Sequence, residues 1–393
     1  MATKDFKTRS IFMERQNSFP KNIWNIGIDI GYSAVKVMSP NAVCCFPSYA
    51  VMEESDSFSI DPLENSEIVG RNIRYKDEDG HIWSVGEAAQ DSISVYDTSA
   101  ASDSIYSRNR YDSPMYLVLF RVGLAMGLRR NSFGSPDGKK LRITTGLPPK
   151  YMTMDKGMLL PAITGRHRFF VMLHKGIWEP YDFLIKEEDI SIIDQPEGTL
   201  YSIMTSSKLR RMPDAAKYMS SRLLIMDPGF GTLDCFSVIR GKVSRGECQT
   251  YPDLGMRRVF EETAKEVLDR FGFEIPVPAM QSYLAKGTVL SMKGERKRQP
   301  FGDILDTCNR NVCREAVDKL KRDYRLTMDN YDYLVLTGGT GDAWKAEILS
   351  DPELGDPEVI TILAGNQGDP SLPMLFSNVR GYFIHSLITA GRK

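Results

Sequence analysis

Residues Ile26–Val37 read IGIDIGYSAVKV. Its apolar residues are typical of a buried strand, yet Asp29 places a carboxylate in the middle of them. Gly31 allows the backbone to turn tightly or to approach a bound group closely, and Lys36 follows on the return strand. The pattern predicts a β-hairpin whose turn brings together an acid, exposed amides and a positive charge.

A second copy of this hairpin occurs at Leu223–Val243, which reads LLIMDPGFGTLDCFSVIRGKV. Its acid, Asp227, lies 227 − 29 = 198 residues after Asp29, about half of the 393-residue chain. One hairpin in each half of the chain predicts two similar α/β units.

The length and composition of the chain exclude some classes of function. The chain is long enough for two cores, and its formal net charge of −1 provides no general attraction to nucleic acid or to an anionic membrane. Six cysteines without a CxxC pair, and only four histidines, argue against a zinc site and indicate reduced cytosolic thiols. We expect no secretory signal in residues 1–22, because they contain no apolar core segment, and no apolar run reaches the ~18 residues of a membrane span.

The chemistry of the two turns indicates phosphate binding. Turn amides can hold phosphate oxygens, but a carboxylate beside them would repel phosphate unless a divalent cation lies between. Asp29 and Asp227 are therefore predicted to bind Mg²⁺ through water, with Lys36 as a point charge for the phosphates. The alternative for each acid alone is a simple turn aspartate.

Two further motifs extend this interpretation. Gly338, Gly339 and Gly341 follow an apolar strand at Tyr331–Thr337 and would allow a nucleoside to pack on bare backbone; the alternative is an ordinary strand-to-helix turn. Glu197, after Pro196, could orient the water that attacks a γ-phosphate. Its alternative role is a first-turn glutamate favoured by the helix dipole.

The remaining pattern predicts the main elements. Apolar spacing predicts helices at Met115–Gly127, Arg257–Phe271, Cys308–Tyr324 and Ser377–Ile388, and a strand at Leu141–Leu147.

The order of these motifs resembles the actin/sugar-kinase/heat-shock ATPase superfamily and, within it, the ParM-type bacterial actins of plasmid segregation. The segments that carry the resemblance are VGEAA at 85–89, TGLPPKY at 145–151, PEG at 196–198, DPGFGTLD at 227–234, LTGGTGDAW at 336–344 and FSNVRGY at 376–382.

The resemblance implies an α/β, actin-like fold: two duplicated RNase H-like domains around a nucleotide cleft, with small inserted subdomains. The implied boundaries are an N-terminal extension at 1–22, domain I at 23–221 with a subdomain at 47–96, domain II at 222–377 with a subdomain at 261–329, and a C-terminal helix at 378–393 returning to domain I.

The implied function is a cytoplasmic ATPase, possibly using GTP, that polymerises with bound nucleotide and segregates plasmid DNA through a DNA-bound adaptor of the ParR type. The protein itself would contact neither DNA nor membrane. Carried over by position, Asp29, Asp227 and Glu197 would be catalytic, with both aspartates managing Mg²⁺. The implied nucleotide-binding residues are Gly31, Ser33, Lys36, Gly229, Gly231, Thr232, Gly255, Glu262, Gly338, Gly339 and Gly341.

Some residues depart from the family pattern. Tyr32 occupies the place of a small hydroxyl residue, Phe230 and Pro228 are bulky in the second loop, and Thr340 replaces a glycine.

Two alternative functions stay open at this point: a small-molecule kinase of the same superfamily, and a cytoskeletal actin relative without a role in segregation. The basic cluster at 292–300 is interpreted as a solvated loop.

Overall fold

The computed structural model describes residues 2–16, 22–53, 71–92, 110–174, 176–325 and 330–390. Parts of the predicted extension and of both predicted inserted subdomains lie outside the described residues. The described strands are β1 (Ile11–Glu14), β2 (Ile23–Ile30), β3 (Ala34–Met38), β4 (Ala42–Pro47), β5 (Ala50–Met52), β6 (Ile73–Lys76), β7 (Ile82–Val85), β8 (Lys140–Leu147), β9 (Gly165–His174), β10 (Ile177–Ile185), β11 (Ile190–Asp194), β12 (Arg222–Pro228), β13 (Leu233–Ile239), β14 (Lys242–Val243), β15 (Gln249–Tyr251), β16 (Thr288–Leu290), β17 (Arg298–Pro300), β18 (Tyr333–Leu336) and β19 (Thr361–Ala364). The described α-helices are α1 (Glu87–Ser92), α2 (Pro114–Gly127), α3 (Met152–Ile163), α4 (Gln195–Met204), α5 (Ala215–Ser220), α6 (Met256–Phe271), α7 (Met280–Lys286), α8 (Gly302–Tyr324), α9 (Gly339–Leu349) and α10 (Ser377–Ala390).

The chain groups into two compact units. The N-terminal unit consists of Thr8–Gly146, Thr153–Ile192 and His385–Lys393. The C-terminal unit consists of Met1–Lys7, Leu147–Met152 and Ile193–Ile384.

The N-terminal unit is built on a sheet of order β1-β4-β3-β2-β8-β11. The predicted hairpin is confirmed, since β2 and β3 pair in antiparallel fashion. Strand β8 then runs parallel to β2, which requires a crossover, and α2 lies in that crossover. A Cβ at Gly123 of α2 would come within 2.8 Å of the Ile28 side chain, so this glycine lets the helix pack closely on the hairpin.

A second sheet of the N-terminal unit, β10-β9-β6-β7-β5, is held by a buried polar cluster. Arg121 of α2 donates from Nη1 to the Tyr75 hydroxyl at 2.7 Å and from Nε to His167 Nδ1 at 3.3 Å. The second ring nitrogen of His167, Nε2, lies 3.2 Å from the Ile163 carbonyl. Burial, and then the Arg121 charge, lower the pKa of His167 to about 4. The imidazole is therefore neutral at pH 7, with Nδ1 accepting and Nε2 donating.

The C-terminal unit repeats the same plan. Its sheet has the order β14-β13-β12-β18-β19, with β15 beside β13. Strands β12 and β13 form the second predicted hairpin, and β18 runs parallel to β12. The crossover here contains α6 and α8, whose apolar faces contribute Val259, Phe260 and Val312 to one buried core. The two units therefore share a strand order, which confirms the duplication predicted from the two acidic hairpins.

The N-terminal extension contributes to both units. Thr3 donates its hydroxyl to the Leu284 carbonyl at 2.9 Å, and Phe6 joins the core of the C-terminal unit. Strand β1, only a few residues later, pairs with β4 in the N-terminal unit along Ile11↔Cys45 to Glu14↔Ala42.

The predicted helices are confirmed, with one clear difference in length. Helix α8 begins at Gly302, six residues before the predicted Cys308, because buried Ile304 and Leu305 continue its apolar face. Among the described helices, none combines the length and apolar character needed to cross a membrane.

Candidate functional site

The first acidic turn joins β2 to β3 through Gly31–Ser33. Asp29 is buried and faces Lys36 across the hairpin, with Lys36 Nζ donating to Asp29 Oδ2 at 2.8 Å. The amide of Gly31 donates to the Ala34 carbonyl at 3.1 Å, which closes the turn. The structure therefore brings the predicted residues Asp29, Gly31, Ser33 and Lys36 together in one hairpin.

Two residues beside this turn were not predicted from the sequence. Ser48 donates its hydroxyl to the Gly31 carbonyl at 2.7 Å and its amide to the Ser33 carbonyl at 3.0 Å. The guanidinium of Arg110 lies 5.0 Å from the centre of the Tyr32 ring, a cation–π contact that adds a second cation near the loop. Neither residue carries a local sequence signal, because each reaches the loop from a separate segment.

The second acidic turn follows Asp227 and Pro228 at the end of β12. The Gly229 amide donates to the Thr232 carbonyl at 2.8 Å, and Gly231 lies in the same turn. Asp227 pairs in register with Asp234 of β13. Burial raises the pKa of Asp234, an effect opposed by the hydroxyls of Thr250 and Thr232, which donate to it at 2.6 and 2.9 Å. Asp234 therefore holds the side chain of the predicted phosphate residue Thr232.

The start of α6 packs directly on this second turn. The amides of Met256 and Arg257 donate to the carbonyls of Gly229 and Phe230 at 3.2 and 2.8 Å. A Cβ at Gly255 would stand 2.6 Å from the Phe230 carbonyl oxygen, so a side chain does not fit there. Glu262, by contrast, forms an ion pair with Arg258 on the same helix at 3.0 Å.

The glycine-rich segment after β18 also meets the second turn. Gly338 has φ +78°, and a Cβ there would lie 2.6 Å from Asp227 Oδ1. Gly339 and Gly341 fall in the first turn of α9. The Thr340 hydroxyl donates to the Gly229 carbonyl at 3.1 Å, so the residue that replaces a family glycine ties this segment to the second turn.

Asp227 has a further partner in Asn378, at the start of α10. Asn378 Nδ2 donates to Asp227 Oδ2 at 2.8 Å, and the Thr199 hydroxyl donates to Asn378 Oδ1 at 2.6 Å. Asn378 was not among the predicted site residues, although the segment FSNVRGY that contains it was recognised as a motif.

Glu197 lies half-buried in the first turn of α4. Its pKa is raised by burial and by the neighbouring Asp194 carboxylate, and Arg245 opposes the shift. Arg245 also donates to Asp194 Oδ2 at 2.8 Å. A carboxylate with a raised pKa and restricted solvent access is suited to accept a proton, which is the chemistry expected of a general base.

Comparisons with known proteins address the family and the fold. Residues 27–198 match the sequence model for the N-terminal domain of actin-like proteins. No curated protein matches the sequence.

Solved structures match the chain over almost its whole length. A non-polymerisable quadruple mutant of pCBH ParM has a TM-score of 0.68 at 19% identity, covering 95% of this chain and 100% of its own. The ParM of a 15-stranded filament from Clostridium botulinum gives 0.66 at 18%, covering 93% and 99%. An archaeal actin homologue, Ta0583, in complex with ADP, gives 0.62 at 14%, covering 94% and 99%.

At these identities the likeness to solved structures establishes the fold, and the resemblance drawn from the motifs is confirmed at that level. Residues 27–198 match the N-terminal domain of actin-like proteins, and the chain as a whole has the fold of the solved ParM structures.

Proposed function

We propose that this protein is a nucleoside triphosphatase that binds Mg-ATP, with GTP as the alternative nucleotide, and hydrolyses it while assembled in filaments. The observation that carries the proposal is the convergence on Asp227. Asp227 directly precedes the second turn, and both the Gly338 backbone and the Asn378 amide come up to its carboxylate. A half-buried acid beside glycine backbone has the chemistry of a cation site next to phosphates rather than that of a simple turn aspartate.

Each acidic turn would contribute a carboxylate and backbone amides to nucleotide binding. Asp29 and Asp227 would hold Mg²⁺ through water, since hard carboxylate oxygens suit this ion; the bound ion would neutralise phosphate charge. The phosphates would contact Lys36, Ser33, Thr232 and the glycine amides. Lys36 already neutralises Asp29 at 2.8 Å, so an incoming phosphate would compete for the same ammonium group.

Glu197 would orient and deprotonate the attacking water. Its raised pKa supports this role over that of a helix-dipole glutamate, because a dipole partner is expected to be favoured in its charged form. Gly338, Gly339 and Gly341 would line the nucleoside site, with Gly255 beside the second turn. Glu262 would need to leave its ion pair with Arg258 to contact a ribose.

Polymerisation and plasmid segregation are the finer part of the proposal. Structures of similar fold include a ParM filament and a non-polymerisable ParM mutant, which supports self-association as the property to test. Segregation would act through a DNA-bound adaptor of the ParR type in the cytoplasm, because a formal net charge of −1 offers no general attraction to DNA.

Equilibrium binding of fluorescent ATP and GTP analogues, with Mg²⁺ and with EDTA, tests the nucleotide part. The wild type is expected to bind in a Mg²⁺-dependent way, and Asp227→Ala is expected to lose most of that dependence. Asp318→Ala, on the exposed face of α8, is the matched control. Equal binding by wild type and Asp227→Ala under both conditions would contradict the proposal.

A further inference from the structure

A chain of three side chains links the second acidic turn to the helix that carries Glu197. It runs from Asp227 on β12 through Asn378 on α10 to Thr199 on α4, over hydrogen bonds of 2.8 and 2.6 Å. Thr199 is 1% exposed and Asn378 is 7% exposed, so solvent competes little for these bonds. Thr199 lies two residues after Glu197 on the same helix.

The direction of both bonds follows from the chemistry of the three groups. An ionised carboxylate can only accept, so the amide NH₂ of Asn378 must face Asp227. The amide oxygen is then left for Thr199, whose hydroxyl has to donate. One orientation of Asn378 therefore satisfies both neighbours, and neither an apolar residue nor a carboxylate can replace it in that role.

The surroundings hold this chain rigidly. Helices α10 and α4 cross at two glycines, where a Cβ on Gly381 would lie only 1.8 Å from the Gly198 carbonyl oxygen. Buried Arg380 donates from Nη1 to the Ser202 carbonyl at 2.6 Å and from Nη2 to the Ser206 carbonyl at 2.9 Å. Because backbone contacts set the helix spacing, Asn378 has little freedom to move away from either partner.

We infer that Asn378 is a positioning residue that fixes the Asp227 carboxylate relative to helix α4, and thereby relative to Glu197. The inference rests on the proposed function. It adds that the cation-binding acid and the general base are aligned by a residue outside the set proposed to hold the nucleotide.

Three variants test the chain, each compared with wild type by steady-state phosphate release. Asn378→Asp keeps the shape and the acceptor for Thr199 but replaces the donor to Asp227 by a carboxylate that repels it. Thr199→Val keeps the shape and loses the hydroxyl, and Asn378→Ala removes both links. Each is expected to lower kcat about tenfold, the value of one buried hydrogen bond, while KM stays within about twofold because substrate-binding groups are retained.

The double variant Asn378→Ala/Thr199→Val gives the sharper readout. Since both changes break one chain, its kcat is expected to be no lower than that of Asn378→Ala alone, whereas independent sites would multiply their effects. Thr307→Val is the matched control, because its hydroxyl donates to the Asp303 carbonyl and accepts from Arg310 Nη2, both on its own helix α8. That variant is expected to behave as wild type.

An unchanged kcat in Asn378→Asp, a change confined to KM, or multiplied effects in the double variant would each overturn the inference. If the proposed function is wrong, the wild-type protein will release no phosphate, which is a separate outcome. In that case, chemical unfolding of the same proteins tests whether Asn378 and Thr199 are coupled. Thr199→Val is expected to change the equilibrium constant of unfolding in the wild-type background but not in the Asn378→Ala background. Equal changes in both backgrounds would show that the two side chains are not coupled.

Discussion

Replacing Gly338 by alanine separates backbone strain from displacement of the proposed cation ligand. Gly338 has φ +78° and ψ +165°, a conformation that costs an L-residue about 1–3 kcal/mol. The added Cβ would lie 2.6 Å from Asp227 Oδ1, and ordinary contact begins at 3.4 Å, so the carboxylate must move by 3.4 − 2.6 = 0.8 Å. A shift of that size stretches the 2.8 Å bond from Asn378 beyond hydrogen-bonding distance if it occurs along the bond.

Gly294→Ala is the matched control. Gly294 also has a positive φ, +67°, in the same unit, and a Cβ there would meet nothing within 4 Å, so the control carries backbone strain without the displacement. Both variants are expected to lose thermal stability. Only Gly338→Ala should lose phosphate release, by roughly 10–100-fold, because a misplacement approaching 1 Å costs about that much. Equal phosphate release by the two variants, at equal folded fraction, would refute the role given to Asp227.

Three further changes test separate parts of the account. Glu197→Gln is expected to keep Mg-nucleotide binding and to lose roughly 10²–10⁴-fold in phosphate release, so filaments followed by light scattering should persist longer; wild-type turnover would remove the assigned role. Arg245→Gln deletes the cation that bonds Asp194 and lowers the pKa of Glu197, so the acid limb of the pH–rate profile should move to higher pH, and an unmoved limb would contradict the assignment. Buried His167 has its pKa lowered from 6.5 to about 4, so unfolding takes up a proton below pH 6.5 and stability should fall by up to about 3 kcal/mol between pH 6.5 and 4. Chemical unfolding of His167→Gln should show a shallower pH dependence over that range, and identical slopes for His167→Gln and wild type would be inconsistent with a buried neutral imidazole.

The fold was predictable because its evidence is local in the chain. Each acidic hairpin combines an apolar strand, a glycine turn and a return strand within about 20 residues, and the second copy sits half a chain away. The pairing partners of β2 and β12 follow from that pattern and from the crossover helices. The early start of α8 was missed because Ile304 and Leu305 extend the apolar face, while the residue at the N-cap, Phe301, provides no capping signal.

The candidate site was predictable only where its residues lie in the turns themselves. Asp29 and Lys36 meet because they are opposite each other in one hairpin. Asn378 lies 151 residues from Asp227, and its contact depends on how α10 crosses α4. Arg110 reaches Tyr32 from a separate segment for the same kind of reason. Tertiary contacts of this kind leave no spacing in the sequence, although the motif around Asn378 had marked the segment.

The departures from the family pattern have structural explanations in part. Thr340 uses the hydroxyl that a glycine lacks to bond the Gly229 carbonyl. Phe230 packs edge-on against Phe260 of α6, so its bulk supports the second turn from the core side. The ring of Tyr32 forms a cation–π contact with the guanidinium of Arg110.

In the proposed cycle, nucleotide hydrolysis is coupled to filament assembly. Right-angle light scattering of the purified protein with Mg-ATP, Mg-GTP or no nucleotide, with released phosphate followed in the same cuvette, checks this coupling. Scattering is expected to rise only with Mg-nucleotide and to decay as phosphate accumulates. Phosphate release with no rise in scattering at any protein concentration would contradict it and favour an acceptor-dependent kinase of the same superfamily.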